Sequence, residues 1–155
     1  MFHYCALLRA VHAGGRILKM DELKRLCMEL GFQGVRTLLA SGNVLLGTRA
    51  IRALVSSPHM SATVRAGATA ANIVFLERAL TPSEAAAVLA LRSEVDDLRI
   101  EGPHVHWLCQ VKQSESKLTN ARLEKAGGVA STIRGWATVE RIANALRERG
   151  EGAQA

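Results

Sequence analysis

Residues 72–109 read NIVFLERALTPSEAAAVLALRSEVDDLRIEGPHVHWLC, and the order of elements in this stretch decides the fold. Asn72–Leu76 is a short apolar run with β-branched residues, the mark of a buried strand. Thr81-Pro82-Ser83-Glu84 follows. It has a hydroxyl at the cap, proline at the first helical position and a glutamate three residues on, so it predicts a helix over 82–92. Leu98–Glu101 and Val105–Cys109 then make a hairpin about Gly102-Pro103. Downstream, Ser116 reads as the cap of a helix to residue 126 that Gly127-Gly128 stops, and Ser131–Arg134 reads as a strand. A last amphipathic helix over 138–149 sets Val139, Ile142, Ala143 and Leu146 on one face, and residues 151–155 form a frayed tail.

Upstream the same order recurs. His3–Leu8 is a strand, and Gly14-Gly15 breaks it. Leu23, Leu26, Cys27 and Leu30 fall at helical spacing in residues 20–30, with Asp21 and Glu22 in the first turn. Val35–Ala40 and Val44–Leu46 make a hairpin around Ser41-Gly42-Asn43. A short helix over 50–57 stops before Pro58, and Ala62–Arg65 is read as a strand. The expected fold is therefore α+β: two ferredoxin-like βαββαβ units with antiparallel sheets, residues 1–70 and 71–150, plus a C-terminal helix. Two four-stranded antiparallel sheets, or one continuous sheet made from them, are expected, with helices on one face of each. Leu23, Leu26, Leu30, Val74, Leu89, Ile142 and Leu146 are the expected core.

Four segments, YCALLRAVHAGGRILKMDELKRL (4–26), VRTLLASGNVLL (35–46), SKLTNARLEK (116–125) and STIRGWATVERIA (131–143), carry a resemblance in their order and spacing. They resemble the bacterial domain-of-unknown-function family 1697, with its patterns of the type ALLRGINVGG, SGNV, SKLTN and RNWNTV. The resemblance implies two ferredoxin-like units and names no activity. Against that pattern, Ala10 and His12 stand where the family has Gly and Asn, and Gly135 and Ala137 where it has two Asn. QVKQSE replaces a PDG-type loop, and the stretch between Asn43 and Asn72 is short by a helix and a strand.

Composition narrows the function classes. The 155 residues are 48% apolar and only 4% aromatic, so the core is built from Leu, Val, Ile and Ala, and a base-stacking platform is not expected. Cys5, Cys27 and Cys109 lack C-x-x-C spacing and read as small hydrophobes in a reducing compartment. The start MFHYCALLRA has no basic region before an apolar stretch, and no apolar run approaches a membrane span. A cytoplasmic protein with no membrane association and no cofactor is expected. The net charge is +6. Residues 1–70 hold nine Lys/Arg against three acids, and residues 71–155 hold eleven of each, so all net charge lies in the first half. That suits either a phosphate-facing surface or an Arg-rich surface without a ligand.

The candidate chemistry follows. Arg9, His12, Gly14 and Gly15 lie between strand and helix, where free N–H groups and arginine hold an anion, or make an ordinary turn. Ser41 and Asn43 flank a glycine that lets backbone approach a ligand, or simply turns the hairpin. Lys117, Thr119 and Asn120 open a helix whose N-terminus attracts oxyanions; the alternative is a cap with solvated side chains. Arg134 offers a bidentate cation, and Trp136 either lines that site or packs. His12 is the one histidine inside a motif and the single candidate acid/base. His104 and His106 share a strand face but lack a third metal ligand. The leading expectation is binding of an anionic small molecule, a nucleotide or, weakly and non-specifically, a nucleic-acid backbone, through Arg9, Lys117, Asn120 and Arg134. A small-molecule enzyme using His12, and a partner-binding protein without ligand, are the alternatives.

Overall fold

A computed structural model describes residues 4–7, 19–29, 35–38, 43–46 and 55–151. The chain divides into two compact units, Met1–Ala53 with Glu140–Ala155, and Leu54–Val139. Residues 54–70, upstream of the break expected at 70/71, thus group with the second unit.

The second unit runs β4 (Ala70–Leu76), α3 (Pro82–Leu89), β5 (Asp96–Glu101), β6 (His104–Cys109), α4 (Asn120–Gly127) and β7 (Ser131–Gly135). This is the expected β–α–β–β–α–β order. The four strands form one antiparallel sheet in the order β5-β6-β4-β7. Local chemistry explains the boundaries. The Thr81 hydroxyl accepts from Glu84 N, and Glu84 Oε2 accepts from Thr81 N at 2.8 Å, so both ends of the capping box close. The β5–β6 turn needs a left-handed residue, supplied by Gly102 at φ +56°. Gly128, at φ +60°, ends α4 in the same way and donates its N–H to Glu124 O at 2.8 Å.

Side chains alternate across this sheet. One face carries Val74, Leu98, Val105 and Trp107, which pack with Val88 of α3, Leu123 of α4 and Leu118 just before α4 into the core. The strand register puts Asp97, Arg99 and Glu101, His104, His106 and Leu108, Ile73 and Phe75, and Thr132 and Arg134 on the other face.

In the first unit, β1 (Tyr4–Leu7), α1 (Met20–Glu29), β2 (Arg36–Leu38) and β3 (Asn43–Leu46) precede the unit boundary, and α5 (Trp136–Glu151) returns to it from Glu140 onward. Its strands pair antiparallel in the order β1-β3-β2. An α+β fold with antiparallel sheets is therefore what the sequence folds into.

Several details differ from expectation. Ala62–Arg65 is not a strand but part of a helix, α2 (Ala62–Ala66), because the Ser61 hydroxyl accepts from Val64 N and caps it. The first sheet consequently has three strands among the described residues, not four. The expected helix over 50–57 falls mostly outside the described residues, and a 3-10 helix, Pro58–Met60, follows it. Leu26 is 40% exposed, against 6% for Leu23. At 100° per residue, Leu23, Cys27 and Met20 span one narrow stripe and Leu26 lies on its far flank. Val74 and Ile142 are buried and Leu89 is half-buried. Leu30 and the Leu146 side chain lie outside the described residues.

Candidate functional site

Asp96 opens β5 on the core-facing side and is 3% exposed. A buried carboxylate needs donors. It receives them from Trp107 Nε1 at 2.8 Å, Ser93 Oγ at 3.0 Å and Ser116 Oγ, which lies 2.8 Å from Oδ1. Burial pushes the Asp96 pKa up, but the hydrogen bonds from Trp107, Ser116 and Ser93 outweigh it, and the carboxyl titrates below its ordinary range. Ser116 Oγ also accepts from Leu118 N at 2.9 Å. One carboxylate thereby ties the turn before β5 to the segment before α4.

These two segments wall a cleft of about 460 Å³, lined among others by Arg92, Glu94, Asp96, Glu115, Lys117 and Arg122. Arg92 donates through Nε and a terminal nitrogen to Leu98 O and lies 3.5 Å from Asp97 Oδ1. Arg122 Nη1 donates to Lys117 O at 3.0 Å, which leaves further guanidinium donors for a ligand. Lys117 is exposed, and its ammonium has no ion-pair or hydrogen-bond partner among the described residues.

The expected cap at Ser116 is corrected. Helix α4 starts at Asn120 with Thr119 as its cap, the Thr119 hydroxyl accepting from Arg122 N at 3.3 Å. Ser116 is drawn away by Asp96, twenty residues upstream. Lys117 therefore stands two residues before the cap rather than in the first turn of the helix. Thr119 and Asn120 border a neighbouring cleft with Ser114, Ser116, Leu118 and Ile133. Asn120 clamps α4 to β7: its Nδ2 donates to Ser131 O at 3.2 Å, and its Oδ1 accepts from Ser131 Oγ at 2.8 Å. That bond pair accounts for an asparagine at a helix start.

Arg134 is not brought to Lys117 and Asn120. It sits on the sheet face opposite α4, and its Nη1 donates to Thr132 Oγ1 and Ile133 O. Trp136 is 6% exposed, with the Arg65 guanidinium 4.5 Å from its ring centre. Arg9, His12, Gly14, Gly15 and Ser41 lie outside the described residues, and of Asn43 the structure describes the backbone, at the first position of β3.

Sequence reasoning missed Arg92, Asp96 and Arg122. The signal for Asp96 was present: Asp96, Leu98 and Ile100 share one strand face, so an acid stood at an apolar parity. Among the described residues, no three His, Cys, Asp or Glu side chains group in a way that holds a metal ion, and no helix is long and apolar enough to cross a membrane. Burial pushes the Cys109 thiol up, which keeps it a packing residue.

A solved structure titled as the conserved bacterial protein SP0830 from Streptococcus pneumoniae shares the fold, with a TM-score of 0.65 and 18% identity over 93% of this chain and 98% of that one. No curated protein matches. A family described as "Protein of unknown function (DUF1697)" matches residues 1–56. The family resemblance read from the sequence is thus shown: over its first 56 residues the chain matches DUF1697.

Proposed function

We propose that this protein binds a phosphate-bearing or other anionic small molecule in the cleft bordered by Arg92, Lys117 and Arg122. The observation that carries the reading is Lys117, an ammonium without a counter-ion among the described residues, on a cleft it shares with two arginines. Glu94 and Glu115 line the same cleft and limit its positive field. The fit is therefore to a compact anion, such as a single phosphoryl or carboxylate group, rather than to a long polyanion. Asp96 is a third carboxylate on this wall: its three side-chain donors are neutral, so they occupy its lone pairs without cancelling its charge. The cleft thus favours a small anion held by direct contact with Lys117 over one drawn in by a strong field. Free thiols at Cys27 and Cys109 suit a reducing compartment, and the proposal places the protein in the cytoplasm.

The test is a thermal melt with sulfate, phosphate and a nucleoside monophosphate at fixed ionic strength, for wild type and Lys117→Ala. A ligand that binds only the native state raises Tm with its concentration. The expected result is anion-dependent stabilisation of wild type and an apparent affinity at least several-fold weaker in the variant. Equal stabilisation of both proteins, or of neither, overturns the reading.

A further inference from the structure

The sheet face away from the core carries a cluster outside the cleft. The Ser57 hydroxyl donates to Glu101 Oε2 at 2.7 Å, and Ser57 and Met60 are 5% and 1% exposed. The His59 ring meets the His106 ring edge-on at 5.5 Å between centres. His106 itself is 1% exposed, its Nε2 stands 3.1 Å from the same Glu101 Oε2, and neither ring nitrogen has a hydrogen bond among the described residues. One carboxylate oxygen thus faces both the hydroxyl that holds Ser57–Met60 and a buried imidazole.

We propose that Ser57–Met60 is a proton-sensitive latch on this sheet, released when His106 takes up a proton. A neutral imidazole carries one N–H and an imidazolium carries two. The proton comes from water to the bare ring nitrogen. The cation then draws Glu101 Oε2 from Ser57, and its second N–H has no acceptor in the closed arrangement. Water reaches that N–H once the segment lifts. The surrounding charges reinforce this. His59 on the 3-10 helix and His104 on β6 repel an imidazolium; Arg99, its register partner on β5, and Arg134 on β7 are cations on the same face. Glu101 opposes them, while Asp97 pairs with Arg99 at 3.2 Å. Burial, the largest influence, lowers the His106 pKa below 6.5; Glu101 raises it, and His59 and His104 lower it further. The sign is fixed by that depression: the open state binds the extra proton, so the latch is closed above pH 6.5 and is progressively lost below it. Each pH unit between the two pKa values weakens closure about tenfold.

The experiment is amide hydrogen exchange on the full chain between about pH 8 and about pH 5, expressed as protection factors. Protection over 57–66 should fall below pH 6.5 while the centres of β4 and β6 stay protected, and His106→Phe should abolish the pH dependence. Protection that is flat with pH, the same loss in His106→Phe, or loss across the sheet together would each overturn the latch. Should that variant not fold, NMR titration of wild-type His106 decides. The latch requires an imidazole titrating below 6.5, with Ser57–Met60 amide shifts following the same midpoint.

Discussion

At the scale of single residues, Asp96 is where this chain departs most from an apolar core, and its donors make it stabilising rather than costly. Asp96→Ala removes the acceptor of a fully buried Trp107. An unsatisfied buried donor costs about 1–3 kcal/mol, and the stranded Ser93 and Ser116 hydroxyls add to it. Urea unfolding should show at least that loss; an unchanged midpoint would mean that the network contributes nothing. The pH dependence has a definite sign. A carboxyl with a depressed native pKa stabilises above its unfolded value, near 4, and the contribution disappears as pH falls through the native pKa. Asp96→Asn should therefore flatten the acid limb below about pH 4. The residues that the sequence singled out fared unevenly for one physical reason. Ser116 was read as a helix cap and Asn120 as part of the helix opening, but their partners, Asp96 and Ser131, lie twenty and eleven residues away. Pairings over that distance depend on the fold, not on local spacing.

Secondary elements were legible wherever their determinants are local. The Thr81–Glu84 box sets the start of α3 within four residues, and both of its hydrogen bonds form as read. Glu84 also receives Arg78, 2.8 Å away, and its pKa is held at about 2 by the Arg78 and Thr81 hydrogen bonds. This exposed pair stabilises above pH 4.5, its contribution fades as pH falls toward 2, and salt screens it. Glu84→Gln should lower Tm at neutral pH, and the difference from wild type should vanish near pH 2; a constant difference would assign the effect to the cap geometry alone. Helix α4 failed as a reading because Ser116 and Thr119 are both capping residues three apart, and only tertiary contact decides between them. Thr119→Ala should cost about 0.5–2 kcal/mol and reduce helical ellipticity. Ser116→Ala should destabilise without shortening the helix.

For the molecule as a whole, antiparallel α+β architecture followed from element order, while the number of strands in the first sheet did not. The short Ala62–Ala66 segment has no periodicity to separate strand from helix, and the Ser61 cap decides it. Charge is the other whole-molecule property. The +6 lies entirely in residues 1–70, whereas residues 71–155, which contain the cleft, are balanced. Of the two tryptophans, Trp107 is fully buried and Trp136 is 6% exposed, so neither presents a face for base stacking. Contact of nucleic acid with the described residues would then rest on counterion release. Filter or fluorescence titration against DNA duplexes of unrelated sequence should give equal, weak affinities that fall steeply with added salt. Lys117→Ala should leave them nearly unchanged, because the cleft anion and the backbone charge call on different residues. Sequence preference that persists in high salt would overturn this reading and show a base-reading surface beyond what the described residues present.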